Sequence, residues 1–180
     1  MRPILLATAL LTTALLAPPQ TVGAAPSPSA SIAQFEGGTI DLRNGWGEAT
    51  ACASDGVNTE CFRTEDELDQ FLTAGQTALP LGPLVDLGIQ SACATVLKLF
   101  SSPSFGGSVL ALSTRFAVIN LSTWSFSNVT SSYSVGACSS TFYDGANAVP
   151  PVYPGNTSAG ASAASMLAGW DNRISSVYIS

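Results

Sequence analysis

Two six-residue segments concentrate carboxylate, amide and hydroxyl side chains that could do chemistry. The first turn (residues 127–132) reads Ser-Asn-Val-Thr-Ser-Ser, and the second turn (residues 171–176) reads Asp-Asn-Arg-Ile-Ser-Ser. Calcium takes roughly six to eight oxygen ligands, so one such segment could supply several but not a full set. The same side chains also close turns through hydrogen bonds to the backbone, so a calcium site and a purely structural role both remain open.

The two turns belong to a longer internal repeat. Each follows an aromatic residue, Phe126 or Trp170, and each leads into a strand-like tail. Cys93 and Cys138 stand at a similar offset, and both follow an alanine. A repeat of roughly 40 residues is long enough for four short strands, and β-favouring residues dominate this half of the chain. The pattern predicts two copies of one β unit, packed as two antiparallel sheets.

The second turn resembles the calcium signature of the βγ-crystallin family, Asn/Asp-Asn/Asp-x-x-Ser/Thr-Ser, and the first turn departs from it only at Ser127. Residues 100–107 resemble the family's aromatic corner, in which two aromatics and a glycine shape a folded hairpin. In the second copy Asn147 and Val149 stand where an aromatic and a glycine would be expected, so we expect a remodelled hairpin there. The resemblance covers about residues 93–180 and implies a double Greek-key β-sandwich.

In this family the two turns exchange ligands. By position, the resemblance implies metal ligands from the side chains of Ser127, Asn128, Asp171 and Asn172, the carbonyls of Val129 and Arg173, and the hydroxyls of Ser131 and Ser175. Only Asp171 carries a negative charge, and Arg173 brings a positive one. Because affinity follows ligand charge, we expect weak calcium binding, with a Kd of about 10⁻⁴ M or weaker.

The N-terminal residues read as a signal peptide, residues 1–24. Its apolar core at residues 4–17 is shorter than the roughly 20 residues of a membrane span, and small residues precede the expected cleavage after Ala24. A retained membrane anchor is the alternative. Residues 25–33, rich in Ala, Pro and Ser, are expected to form a flexible linker. We therefore expect a secreted, extracellular protein.

The four cysteines predict disulfides rather than a metal centre, because the chain has no histidine and export leads to an oxidising compartment. Four cysteines allow three pairings. Cys52 and Cys61 flank an Asp-Gly turn signal that would bring them together across a hairpin. We therefore pair them with each other, which leaves Cys93 with Cys138.

Residues 34–90 predict a small α+β region ahead of a βγ-crystallin-like domain at residues 91–180. A strand over residues 35–42 should end at an Asn-Gly turn, and the cysteine-bounded hairpin should follow. Thr64 and Glu67 have the spacing of a capping box, which predicts a helix start. Gly, Pro and Leu recur over residues 75–88 and predict a connecting segment or a short irregular packing element.

Charge excludes several classes of function. Between residues 36 and 86 lie ten acids and two arginines, whereas the later part of the chain is nearly neutral. An acidic surface repels phosphate backbones, so we expect neither nucleic acid nor membrane as a partner of the mature chain. Without histidine there is no Ser-His or Cys-His pair, and we expect no enzymatic activity.

These observations predict a secreted, monomeric, non-enzymatic βγ-crystallin-like module with a weak calcium site. The chain also resembles secreted bacterial βγ-crystallin-like proteins that are grouped with peptidase inhibitors. That resemblance implies an alternative, an extracellular protease inhibitor or toxin-like interaction protein that acts through exposed loops. The Gly/Pro/Ser segment at residues 153–160 is one such loop, although this composition more often connects strands.

Overall fold

The computed structural model describes residues 30–77 and 93–180, which form eleven β-strands and one α-helix. The strands are β1 (Ile32–Phe35), β2 (Gly38–Asp41), β3 (Ala51–Ser54), β4 (Thr59–Phe62), β5 (Leu97–Ser102), β6 (Gly106–Leu112), β7 (Val118–Asn120), β8 (Ser132–Ser134), β9 (Ser140–Tyr143), β10 (Ser162–Ala163) and β11 (Ser176–Ile179). Helix α1 (Glu65–Thr77) lies between β4 and β5 in the chain. The mainly β fold class is confirmed.

Three of the sequence predictions fall wholly or largely outside the described residues. They are the signal peptide, most of the linker and most of the connecting segment after α1. Within the described ranges, no helix combines the length and apolar character needed to cross a membrane.

The strands after residue 93 form a double Greek key. Eight strands pair in the order β10-β8-β5-β6-β3-β4-β1-β2, and three pair in the order β7-β11-β9. Strands β5, β6 and β8 of the first copy therefore accept β10 from the second copy, while β9 and β11 of the second copy accept β7 from the first. This exchange of one strand between the copies confirms the predicted double Greek-key sandwich.

The core of the sandwich lies between the two sheets. Tyr133 from β8 and Phe142 from β9 are completely or almost completely buried, and their rings meet edge to face at 5.0 Å between centroids. Ile174 and Val177 are fully buried in the same core. Apolar area removed from water on this scale is the main favourable contribution to folding, at about 25 cal/mol per Å².

The N-terminal strands extend the larger sheet. Strand β3 pairs in parallel with β6, with Cys52 opposite Leu110, so one continuous sheet crosses the predicted boundary between the two regions. Helix α1 packs on the outer face of that sheet, where Leu68 is fully buried beside Phe100 and Val109. The predicted hairpin and helix are both present, but they are built into the sandwich sheet.

Both predicted disulfides are present. Cys52 faces Cys61 across the β3–β4 hairpin, and Cys93 is joined to Cys138. The capping box is also confirmed, because Glu67 N–H donates to Thr64 Oγ1 at 3.2 Å and Thr64 N–H donates to Glu67 Oε2 at 3.3 Å. The pairing of Cys52 with Cys61 and the capping box could be predicted because each depends on residues close in sequence. Cys93 and Cys138 are 45 residues apart, and their pairing followed as the one left over.

Two N-terminal predictions were wrong. Residues 30–33 are not part of a flexible linker, because Ala33 in β1 is fully buried and Thr59 Oγ1 donates to the Ala30 carbonyl at 2.7 Å. The single strand over residues 35–42 is instead a hairpin. Glu36 and Gly37 have φ angles of 49° and 77°, which is the left-handed pair that closes a two-residue turn.

Candidate functional site

The first and second turns lie face to face and exchange backbone hydrogen bonds. Asn128 N–H in the first turn donates to the Ile174 carbonyl at 2.8 Å. Asn172 N–H in the second turn donates to the Thr130 carbonyl at 3.0 Å. In each case the donor is the second residue of one turn and the acceptor is the fourth residue of the other. The two turns are therefore related by a local twofold pseudo-symmetry.

The side chains of the turns repeat this exchange. Ser131 Oγ donates to Asn172 Oδ1 at 3.2 Å, and Ser175 Oγ donates to Asn128 Oδ1 at 2.9 Å. Asn128 and Asn172 have φ angles of 58° and 54°, a left-handed conformation that asparagine tolerates better than most residues. The structure thus brings together four of the sequence-predicted ligands, two from each copy.

The remaining predicted ligands occupy equivalent places in the two turns. Ser127 and Asp171 open the turns, and Val129 and Arg173 follow the two asparagines. Within residues 30–77 and 93–180, no hydrogen bond reaches the carbonyl oxygen of Val129 or of Arg173. These carbonyls, the two hydroxyls and the amide oxygens are hard oxygen donors of the kind calcium prefers.

The charge of the site is low. No group of three or more His, Cys, Asp or Glu residues that could hold a metal lies in the described part of the chain. Asp171 is exposed, and its Oδ2 accepts a long hydrogen bond of 3.4 Å from Asn172 Nδ2. The oxygens joined by the reciprocal side-chain hydrogen bonds are all neutral, and Asp171 is the one carboxylate in the two turns.

Arg173 is not the uncompensated positive charge that the sequence suggested. Its guanidinium forms an ion pair with Asp144, and Nη1 donates to the Gly169 carbonyl at 3.0 Å. It also lies over the Trp170 ring, 5.0 Å from the centroid. The hydrogen bond to Asp144 raises the pKa of Arg173, so the guanidinium stays charged.

The last serine of each turn fastens the hairpin of its own copy. Ser132 Oγ donates to the Ser102 carbonyl at 2.7 Å, and Ser176 Oγ donates to the Gly145 carbonyl at 2.6 Å. Both serines are fully buried. Neither was among the predicted site residues, although the signal was present, because a serine ends both turns in the sequence.

The aromatic corner of the first copy is confirmed. Phe100 and Phe105 meet edge to face at 5.5 Å between ring centroids. Gly107 has a φ of 77°, and a Cβ at this position would lie 2.3 Å from Ser101 Oγ. Glycine is therefore required both by the backbone conformation and by the close approach of the serine.

The second hairpin is remodelled, but the predicted residue was one position out. Phe105 N–H donates to the last serine of its turn at 3.1 Å, and Ala148 N–H makes the equivalent bond at 3.0 Å. Ala148, not Asn147, therefore replaces the second aromatic. The prediction was one residue out because Tyr143, not Phe142, is the counterpart of Phe100: the Tyr143 and Phe100 carbonyls accept the equivalent hydrogen bonds from the two turns. Asn147 lies in a short 3-10 helix, Ala146–Ala148, and hydrogen-bonds Asn120.

Comparison with known proteins gives structural neighbours only. No protein-family model matches the chain, and no curated protein matches it. A βγ-crystallin from Ciona intestinalis has 23% sequence identity and a TM-score of 0.41, over 47% of this chain and 99% of that one. A βγ-crystallin domain from Clostridium beijerinckii has 16% identity and a TM-score of 0.40, over 47% and 97%.

A third neighbour is a clostrillin double mutant in complex with nickel. It has 15% identity and a TM-score of 0.38, over 47% of this chain and 97% of that one. The three likenesses each span slightly less than half of this chain. The Greek-key assignment stands on the strand order and on the exchanged hydrogen bonds.

Proposed function

We propose that this chain is an exported, non-enzymatic module whose paired turns bind calcium and thereby hold the two Greek keys together. The observation that carries the proposal is the reciprocal pair of hydrogen bonds, from Ser131 to Asn172 and from Ser175 to Asn128. Each bond joins a hydroxyl of one copy to an amide oxygen of the other. An ion that contacts these oxygens would therefore tie the copies to each other.

The residues of both turns would hold the ion. Calcium would supply a divalent charge that draws the surrounding oxygens together. The ligand set would be drawn from Ser127, Asn128, Val129, Ser131, Asp171, Asn172, Arg173 and Ser175, with carbonyl oxygens from Val129 and Arg173. Binding exchanges hydroxyl–amide hydrogen bonds for ion–oxygen contacts, which limits the net gain and keeps the affinity low.

Two features support export. Both disulfides tie together elements of the folded sheet system, and disulfides form and persist in oxidising compartments. The N-terminal residues also have the composition of a signal peptide. The proposal of a non-enzymatic role rests on the lack of histidine in the sequence, which leaves no ordinary general base near neutral pH.

The inhibitor alternative is not favoured by the loop that suggested it. Tyr133 donates its hydroxyl hydrogen to the Asn156 carbonyl at 2.8 Å, and Ala159 N–H donates to Ser139 Oγ at 3.1 Å. Thr157 Oγ1 also donates to the Ser140 carbonyl. These contacts fasten the loop to the body of the second copy, as expected of a connection. Action on an extracellular protease therefore stays a prediction from the sequence.

Calorimetric titration of the disulfide-intact protein with calcium tests the proposal. We expect binding with a Kd of about 10⁻⁴ M or weaker and a further loss of affinity in Asp171→Ala. Asp66→Ala is the matched control, because it removes an exposed acid from α1 and should leave the titration unchanged. A wild-type protein that shows no binding by heat or by equilibrium dialysis would overturn the proposal.

A further inference from the structure

Each turn is anchored to its hairpin in the same way. Ser131 N–H donates to the Phe100 carbonyl at 2.8 Å, and Ser175 N–H donates to the Tyr143 carbonyl at 2.9 Å. Two residues further along each hairpin, the last serine of the turn makes the bond described above. One hairpin residue therefore lies between two anchors in each copy. It is Ser101 in the first copy and Asp144 in the second.

The third residue of the turn differs in charge between the two copies. Val129 occupies this position in the first turn and Arg173 in the second. The two residues at these equivalent positions are neutral in the first copy, Val129 and Ser101. In the second copy they are Arg173 and Asp144, which form an ion pair. One corner of turn and hairpin carries a fixed positive charge with its counter-ion, and the other carries no formal charge.

The ion pair is held in place by more than charge. Arg173 also hydrogen-bonds the Gly169 carbonyl and lies over the Trp170 ring. The side chain of Asp144 is about one-quarter exposed, at 27%, so solvent screens the pair only in part. Because three partners hold the guanidinium, its charge stays at one position. The ammonium of an unpaired lysine at this position would move on its flexible side chain.

We propose that Arg173 is a built-in cation that neutralises one of the two corners, so that the paired turns bind one calcium ion per chain and not two. This inference rests on the proposed function. Asp144 is already committed to a guanidinium, and a second ion there would stand beside that fixed positive charge. Asp171, the one carboxylate of the two turns, forms no ion pair with any of the described residues.

The test is the number of calcium ions bound, measured by equilibrium dialysis and calorimetry on the disulfide-intact protein. We expect one ion in the wild type and two in Arg173→Val, which copies Val129 into the second turn and frees Asp144. Arg43→Val is the matched control, because Arg43 forms an ion pair with Asp41 in the N-terminal hairpin region. This control should keep one ion.

The outcomes separate the inference from the proposed function. One ion in both the wild type and Arg173→Val overturns the inference and leaves the proposed function standing. Two ions in the wild type also overturn it. No ion in the wild type with binding in Arg173→Val overturns the proposed function but supports Arg173 as the occupying cation, and no ion in either variant overturns both.

A second variant covers the case in which Arg173→Val does not fold. Arg173→Gln keeps a long side chain that can still hydrogen-bond the Gly169 carbonyl, but it carries no charge. We expect it to gain the second ion as well. A folded Arg173→Gln, verified by circular dichroism, that binds only one ion would overturn the inference.

Discussion

The indole N–H of Trp46 donates a hydrogen bond of 2.7 Å to the backbone carbonyl of Trp124. The Trp46 ring also contacts Phe126, the residue directly before the first turn, at 5.5 Å between centroids. The indole of Trp124 in turn donates to Thr59 Oγ1 at 3.0 Å. The N-terminal region therefore supports the base of a turn that belongs to the Greek-key domain.

Substitution of Trp46 should destabilise the whole protein in one transition. Trp46→Phe loses the hydrogen bond but keeps a ring, and we expect a loss of about 1 kcal/mol in the free energy of unfolding. Trp46→Ala also loses the contact with Phe126, and we expect a loss of about 2 kcal/mol because the residue is half-buried. Urea denaturation followed by circular dichroism measures both changes.

The control for this experiment is Phe116→Ala, which removes an exposed ring and should cost less than about 1 kcal/mol. Two separate transitions in the wild type would contradict the expectation, because they would mean that the shared sheet does not couple the regions.

The left-handed backbone at Asn172 can be tested by comparing the stability of its glycine and alanine variants. Asn172→Gly removes the bond from Ser131 but keeps a residue suited to a φ of 54°. Asn172→Ala removes the same bond and adds conformational strain of about 1 kcal/mol. We therefore expect the alanine variant to be the less stable of the two by thermal or urea denaturation. Equal stability would argue against the described backbone conformation.

The two disulfides should differ in their rate of reduction. Cys52 and Cys61 are almost completely buried, whereas Cys93 and Cys138 are only partly buried. Under native conditions we expect dithiothreitol to reduce Cys93–Cys138 first, and alkylation followed by mass spectrometry identifies the labelled residues. Replacing both Cys93 and Cys138 by alanine should cost about 4 kcal/mol, because this bond closes a long loop. Prior labelling of Cys52 would contradict the order.

Asp55 should contribute to stability in a pH-dependent way. Burial raises the pKa of Asp55, but hydrogen bonds from the N–H groups of Asn58 and Val57 outweigh it and hold the pKa below its ordinary value of 3.8. A lowered pKa in the folded state means that the stabilisation is full at neutral pH. It is lost as the pH falls below about 4, through the folded pKa.

Asp55→Asn keeps the oxygen that accepts these bonds but does not titrate. We therefore expect its stability to fall less steeply than that of the wild type between about pH 5 and pH 2, in urea denaturation at each pH. Asp66→Asn is the control and should follow the wild type. If the stability of Asp55→Asn falls with pH in parallel with that of the wild type, Asp55 does not contribute to the loss of stability in acid.

The features that the sequence predicted correctly are local or repeated. The capping box of Thr64 and Glu67 and the pairing of Cys52 with Cys61 depend on residues near one another in the chain. The face-to-face turns could be predicted because Asn128 and Asn172 belong to two copies of one motif. A repeat carries information about a contact between distant residues that a single motif does not.

The features that the sequence missed depend on three-dimensional neighbours or on weak turn signals. Nothing in the sequence around β3 indicates that it pairs in parallel with β6. The small and apolar residues of β3 would pack equally well beside other strands. The ion pair of Arg173 with Asp144 joins residues that share no motif. The turn at Glu36 was missed because asparagine or aspartate normally marks the first position of such a turn.

Strand β11 lies in the middle of the three-stranded sheet, although it follows β7 and β9 in the chain. Its residues pair with both neighbours, so the chain up to residue 175 can form hairpins but cannot close this sheet. During synthesis or translocation that starts at the N-terminus, the three-stranded sheet can therefore form only after residues 176–179 emerge.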